Sequence, residues 1–200
     1  MVDGRRIVDQ VAVTTRKISL SLLPALLACA ALAAPAIASA GTPCADADLM
    51  PAGASDDALR GATLCLVNAE RTSRGLKALL SNSHLSRAAQ NYSRRMVQQR
   101  FFDHVCPNGS TLTSRVRGST AYLRGARRFS LGENIAWGSG YLATPRQTVV
   151  AWMQSPGHRA NILRGRFRHV GVGVAIGAPE ESEESSAATY TMDFGYRALR

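Results

Sequence analysis

Four side chains in this sequence are of the types that do chemistry and sit where a reader would look for it. His104 closes "FFDH", Glu133 lies among apolar residues and glycines in "LGENIAWG", and His158 stands just inside a helix start in "SPGHRANIL". A carboxylate with apolar neighbours needs a partner, because burying it unpaired is costly. If the three converge, the two imidazoles, His104 and His158, could hold zinc beside the carboxylate. They could equally work without metal: Glu133 would fix a histidine tautomer, and Glu133 or His158 would activate water. A third arrangement has no chemistry in it, only a hydrogen-bonded clasp between a loop and two elements. Cys106, two residues after His104, is a nucleophile with His158 as base, an ordinary loop thiol or an alternative disulfide partner. No "HExxH" and no "GxSxG" occurs, so the motif-marked hydrolases are unsupported.

The elements that must position these residues are written in caps and periodicity. Ser55, Asp56 and Asp57 open a helix with Leu59, Ala62, Leu66 and Ala69 on its apolar face, ended by Gly75. A second amphipathic helix covers roughly 82–99, with Leu85, Ala88, Ala89, Tyr92 and Met96 inward and Arg87, Arg94 and Arg95 solvated. Ser110 is the expected cap of a short helix to about Arg117, and 118–143 reads as mostly loop. Thr144-Pro145 and Ser155-Pro156 each pair a cap with proline at the first helical position, and the second opens the helix of His158. "VGVGVAIG" (170–177) and "ATYTMDFGY" (188–196) alternate as a β-hairpin across an acidic turn. No helix pattern follows the "GVGVAIG" run, so it is not a nucleotide loop. Helices first and strands late give one α+β domain.

The chain starts with Arg5, Arg6, Arg16 and Lys17, then the apolar run "ISLSLLPALLACAALAAPAIA" and the small residues "ASA". This order predicts a secretory signal over 1–40, cleaved after Ala40, with an N-terminal arm over 41–54 and the domain over 55–200. Pro24 and Pro35 interrupt the run and argue against a stable span, while "LLAC" at Cys29 only faintly resembles a lipidation motif. Removing the signal leaves a net charge of +8 on the secreted part. No Lys/Arg run is interleaved with aromatics, so the basic balance points to anionic wall polymers or lipid head groups rather than nucleic acid. Three cysteines remain, Cys44, Cys65 and Cys106; an oxidising compartment favours a Cys44–Cys65 bridge from the arm to the first helix.

The stretches "LVNAERTSRGLKALLSNSHLSRAAQNYSRRM", "FFDH", "GENIA", "VVAWMQSPGHRANIL", "FRHVGVGVA" and "YTMDFG" run in order across about 56–196. Together they resemble the CAP superfamily (cysteine-rich secretory proteins, antigen 5 and pathogenesis-related 1) in its bacterial secreted form. That resemblance implies a three-layer α-β-α sandwich with a central antiparallel sheet and a cleft lined by two His and two acids. His104, Glu133 and His158 match three of the four; the second acid falls on Ser155, which weakens the case for metal. The resemblance further implies a monomeric extracellular module binding a lipid, a sterol or a cell-wall component. A hydrolase using the same cleft is the alternative, as is an adhesion protein that uses only its surface.

Overall fold

A computed structural model describes residues 44–181 and 186–199. The signal-peptide reading, Cys29 and residues 182–185 of the acidic turn lie outside the described residues. Helix α1 (Asp56–Thr72) begins as its cap dictates, with Ser55 Oγ accepting from the Ala58 N–H at 3.2 Å. Its inward stripe is Leu59, Ala62, Thr63, Val67 and Arg71. Ala69, expected on that stripe, is exposed. The apolar period drifts one position along the helix, and a buried arginine ends the stripe. Arg71 donates to the carbonyls of Lys77 (2.9 Å), Ile162 (2.6 Å) and Arg164 (3.2 Å), which ties the end of α1 to the last helix.

Strand β1 (Leu80–Ser81) leads into α2 (Ser83–Gln99), capped by Asn82 and closed by Arg100 in the left-handed region at φ 50°. The five apolar residues read from the sequence on α2 are all buried. Helix α3 runs Leu112–Ser119, and its cap is Thr111, one residue after the expected Ser110. The region expected as loop holds the longest strand, β2 (Ala126–Ser139), followed by a 3-10 turn at Gly140–Ala143. Its glycines, serines and arginines suit an edge strand with one face only half covered. Helices α4 (Pro145–Gln154) and α5 (Pro156–Ile162) start at the two prolines. Thr144 caps α4 with its side chain, whereas Ser155 makes no side-chain bond to α5. Strands β3 (His169–Ile176) and β4 (Ala187–Leu199) complete the described elements.

The sheet order is β1-β3-β4-β2, antiparallel except for the two-residue β1 beside β3. Strand alternation sends Val170, Val172, Val174, Tyr190, Met192 and Phe194 to one face, where they join Leu59, Trp152, Ile162 and Phe167 in the main core. That face is covered by α1, α4 and α5. The opposite face meets α2 so closely that Gly171 and Gly173 are required. A Cβ on either would come within 2.0 and 2.2 Å of the backbone of Leu85 and Ala89. Ser93 on α2 donates or accepts across this contact with Thr191 at 2.8 Å. The result is the α-β-α sandwich expected from the resemblance.

The segment after Cys44 is tied down twice. Cys44 and Cys65 form the expected disulfide, with Cα atoms 5.8 Å apart and a sequence separation of 21. Closing a loop of that size contributes on the order of 3 kcal/mol in the chain-entropy view. Asp48 and Arg146 then make a two-pronged ion pair at 2.7 and 2.9 Å, joining the segment to α4. Among the described residues, no helix is long and apolar enough to cross a membrane.

Candidate functional site

Glu133 is the centre of the site, and edge strand β2 places it there. Its neighbour in register on β4 is Asp193. The Glu133 carbonyl accepts from Asn161 Nδ2 at 3.1 Å and the Ile135 carbonyl from Trp152 Nε1 at 3.2 Å, so side chains cover the free edge of the strand. The Glu133 side chain is buried and both of its oxygens are engaged. Oε1 meets His104 Nδ1 at 2.9 Å, and Oε2 accepts from Arg115 Nη2 at 2.5 Å.

His104 reaches Glu133 from the loop between α2 and α3. That loop is held by Tyr92, whose hydroxyl donates to the Asp103 carbonyl at 2.5 Å. Arg115 holds it as well, donating to the carbonyls of His104 (3.0 Å) and Ser110 (3.1 Å). The Arg115 guanidinium lies 3.4 Å over the Tyr92 ring, which fixes its plane. Burial pushes the Tyr92 phenol above its ordinary value, so it stays a neutral donor. With the Nδ1–H of His104 directed at Glu133, Nε2 is the free polar atom of a side chain that is 52% exposed.

His158 comes from the other side of β2. Asn134, which points to the opposite face from Glu133, donates to the His158 carbonyl at 3.1 Å and accepts from Asn161 at 3.0 Å. The His158 ring is largely buried, and its Nδ1 has no hydrogen-bond partner. Burial, and then the nearby His104, hold its pKa below the ordinary imidazole value, so it is neutral at pH 7. No hydrogen bond joins it to Glu133. The structure therefore binds His104 directly to Glu133 and brings His158 alongside as a separate neutral ring.

Two members of this cluster were not picked out from the sequence. Arg115 carries no local signal that separates it from Arg117 on the same short helix. Asp193 did carry one: it is the lone acid in the apolar run "YTMDFG", and the argument applied to Glu133 holds for it equally. It is 1% exposed, and neither of its oxygens receives a hydrogen bond. Burial, followed by the charge of Glu133, raises its pKa well above the usual carboxylate range. In its protonated form it can donate to Glu133, so the pair carries one negative charge rather than two.

These donors do not suit a resident metal ion. Both oxygens of Glu133 are taken, one by a guanidinium whose positive charge opposes a cation, and Asp193 is a neutral acid. Among the described residues no three His, Cys, Asp or Glu side chains group closely enough to hold a metal. Cys106 is a free, buried thiol packed with Tyr92, Met96 and Ile135. Burial pushes its pKa up, but Arg95 (3.6 Å from the sulfur) and the backbone N–H of Asn108 bring the net value below that of an ordinary thiol. Its polar neighbour is thus Arg95, and no hydrogen bond links it to His158.

A model of the cysteine-rich secretory protein family matches residues 64–194. The Bacillus subtilis protein YkwD is 41% identical over 109 residues, which are 54% of this chain and 39% of YkwD. YlbC, a membrane protein of the same organism, is 32% identical over 111 residues, 56% of this chain and 30% of its own length. The chain thus spans well under half of these relatives. An outer surface protein of Borrelia burgdorferi shares the fold at TM-score 0.55 and 18% identity, over 68% of this chain and 90% of its own. So does an extracellular protein containing an SCP domain from Bacillus anthracis, at TM-score 0.52 and 24% identity, over 70% of this chain and 43% of its own.

Proposed function

The chain belongs to the cysteine-rich secretory protein family, and from that premise we propose that it is an extracellular binding module for a component of the cell envelope or a lipid- or sterol-like molecule. The observation that carries this reading is the saturation of Glu133. With one oxygen on His104, the other on Arg115 and a neutral Asp193 beside it, the carboxylate is locked into the wall and is not a free base. The loop that carries His104 also exposes Phe102 and Val105. An exposed imidazole on a loop that also exposes apolar side chains suits an amphipathic ligand.

Location outside the cytoplasm is supported by the basic-then-apolar N-terminus, by the Cys44–Cys65 disulfide, and by the extracellular SCP-domain protein that shares the fold. Titrating the purified protein with fluorescent phospholipid, a sterol probe and wall fragments tests the reading. Saturable binding to one of them, weakened about tenfold or more by His104→Ala with His158→Ala, is expected; a loss of that size is ordinary for contacts central to a pocket. No saturable binding to any of the three sinks it.

One observation favours a second reading, a hydrolase. The His158 Nδ1 is a buried imidazole nitrogen of the cluster without a partner, and burial keeps the ring neutral. As a general base the neutral His158 ring would take the proton of a water attacking a bound substrate, without metal, once a substrate or local opening exposes it. Elemental analysis of the purified protein is expected to show no stoichiometric zinc. Near-stoichiometric zinc that disappears in the His104→Ala/His158→Ala double variant would instead return the metal to the site.

A further inference from the structure

One end of the sandwich collects arginines without acids. From His104 to Pro179 the chain contains ten arginines, no lysine and a single acid, the buried Glu133. Arg115 and Arg146 are spent on Glu133 and Asp48. Most of the others gather where β2 begins, β4 ends and β3 begins, because the register pairs Arg128 with Ala198, Phe129 with Arg197, and His169 with Gly195.

Two of these arginines, Arg117 and Arg166, and Arg197 from the end of β4 lie over aromatic rings at that end of the sheet. The Arg117 guanidinium lies 5.3 Å from the Phe129 centroid, Arg166 4.6 Å from Tyr196 and Arg197 4.9 Å from Tyr122. By strand alternation Phe129 and Arg197 are on the α2 face and Tyr196 is on the other, so the stacked cations wrap both faces. Arg124, Arg127, Arg128 and Arg168 fill the rim between them, all exposed. Among the described residues none of these seven is in ion-pair contact with a carboxylate. The two described acids of the β3–β4 turn, Glu180 and Glu181, are at the opposite end of the strands.

Unpaired guanidiniums repel one another, and a protein that keeps seven of them together has anionic surroundings to offset that cost. Stacking fixes the plane of each fork, and a fixed fork suits the paired oxygens of a phosphate. We propose that this end of the sandwich binds a linear envelope polymer bearing a phosphodiester in each repeat. The proposal rests on the extracellular reading above, since inside a cell the abundant polymer of that chemistry is nucleic acid. A bilayer fits less well: the arginines wrap both faces and the rim of a strand end, where a flat surface reaches only one side. Phe129, a large apolar side chain exposed there, lies under Arg117.

Binding of poly(glycerol phosphate), of phosphatidylglycerol vesicles and of a single-stranded oligonucleotide of matched charge tests this, using the purified protein and an R124Q/R127Q/R128Q/R166Q variant. Thermal unfolding confirms that the variant folds. Saturable binding of the polymer is expected, with affinity falling tenfold or more in the variant. The slope of log affinity against log salt should drop by about 3, at roughly 0.7–0.9 per lost contact. Removing charge elsewhere, with R87Q/R100Q on α2 and its C-terminal cap, should change affinity less than twofold. Unchanged polymer binding in the four-site variant overturns the proposal, as does a preference for vesicles or for the oligonucleotide. If the wild-type protein ignores the polymer yet binds a lipid, sterol or wall probe, this inference alone fails. If it binds none of them, the extracellular binding reading fails with it.

Discussion

The two faces of the sheet are built from alternate residues of the same strands, and they are held by different means. On the face toward α1, α4 and α5, β3 and β4 present Val170, Val172, Val174, Tyr190, Met192 and Phe194, all nearly inaccessible. On the face toward α2 the same strands present Gly171, Gly173, Thr191, Asp193 and Gly195. The first face is filled by volume. The second is closed by bringing a helix backbone almost onto the sheet, with Ser93 bonded to Thr191 and to the Gly173 carbonyl and Glu133 bonded to His104 and Arg115, while Asp193 is buried without a partner. Large apolar contact tolerates loss of a methyl group by partial collapse, whereas backbone touching backbone tolerates no addition. The candidate site is on the second face because that is where polar groups are already required to be buried and paired.

Neighbouring residues in β3 provide the sharpest way to break this contrast. Gly173→Ala adds one carbon that would stand 2.2 Å from the Ala89 backbone, so α2 must lift. The expected loss is about 4 kcal/mol or more, in the range reserved for severe steric disruption. Val172→Ala removes two carbons from the opposite face and is expected to cost roughly 2 kcal/mol. Denaturant unfolding followed by circular dichroism measures both. Equal losses would mean that the two faces are packed alike.

A smaller effect, of opposite sign, is expected at Asp193. Its folded pKa is raised above the ordinary 3.8, so the folded state holds a proton that the unfolded state gives up. Stability from this group is full below that ordinary value and declines as pH rises toward the folded pKa. Asp193→Asn keeps a donor toward Glu133 and removes that decline. Its melting temperature relative to wild type should therefore climb from acid to neutral pH. A difference independent of pH would show that Asp193 is ionised in the folded protein.

The smallest effect is expected at His158, whose folded pKa is depressed below 6.5. Below that ordinary value the unfolded chain takes a proton that the folded one refuses, so stability falls on acidification. His158→Gln should flatten this part of the profile, read as melting temperature between about pH 5 and 7. A profile as steep as that of the wild type would place the acid sensitivity elsewhere.

Much of this architecture is legible in the chain because local chemistry decides it. Ser55 and Thr144 each start a helix with a side chain that accepts from its first turn. The two late strands are legible because one of their faces is continuously apolar. Strand β2 is not, since "ARRFSLGENIAWGS" alternates poorly: its ends are half covered and its centre is dictated by α5 and Trp152, which arrive from later in the chain. The His104–Glu133 pair follows from residue type and family order, while Arg115 enters the site only through the placement of α3 against Tyr92. Thr111 rather than Ser110 caps that helix, a one-residue difference that composition does not distinguish.

The covered edge of β2 has a consequence for strand addition. An outer strand with bare carbonyls is a template on which another chain can add a strand and begin a fibre. Here the Glu133 and Ile135 carbonyls are plugged by Asn161 and by the Trp152 indole, so an incoming strand finds those acceptors occupied. Trp152 is therefore both filling for the core and a guard against templated assembly. The strand that carries Glu133 can thus be outermost in the sheet without offering those two acceptors to another strand.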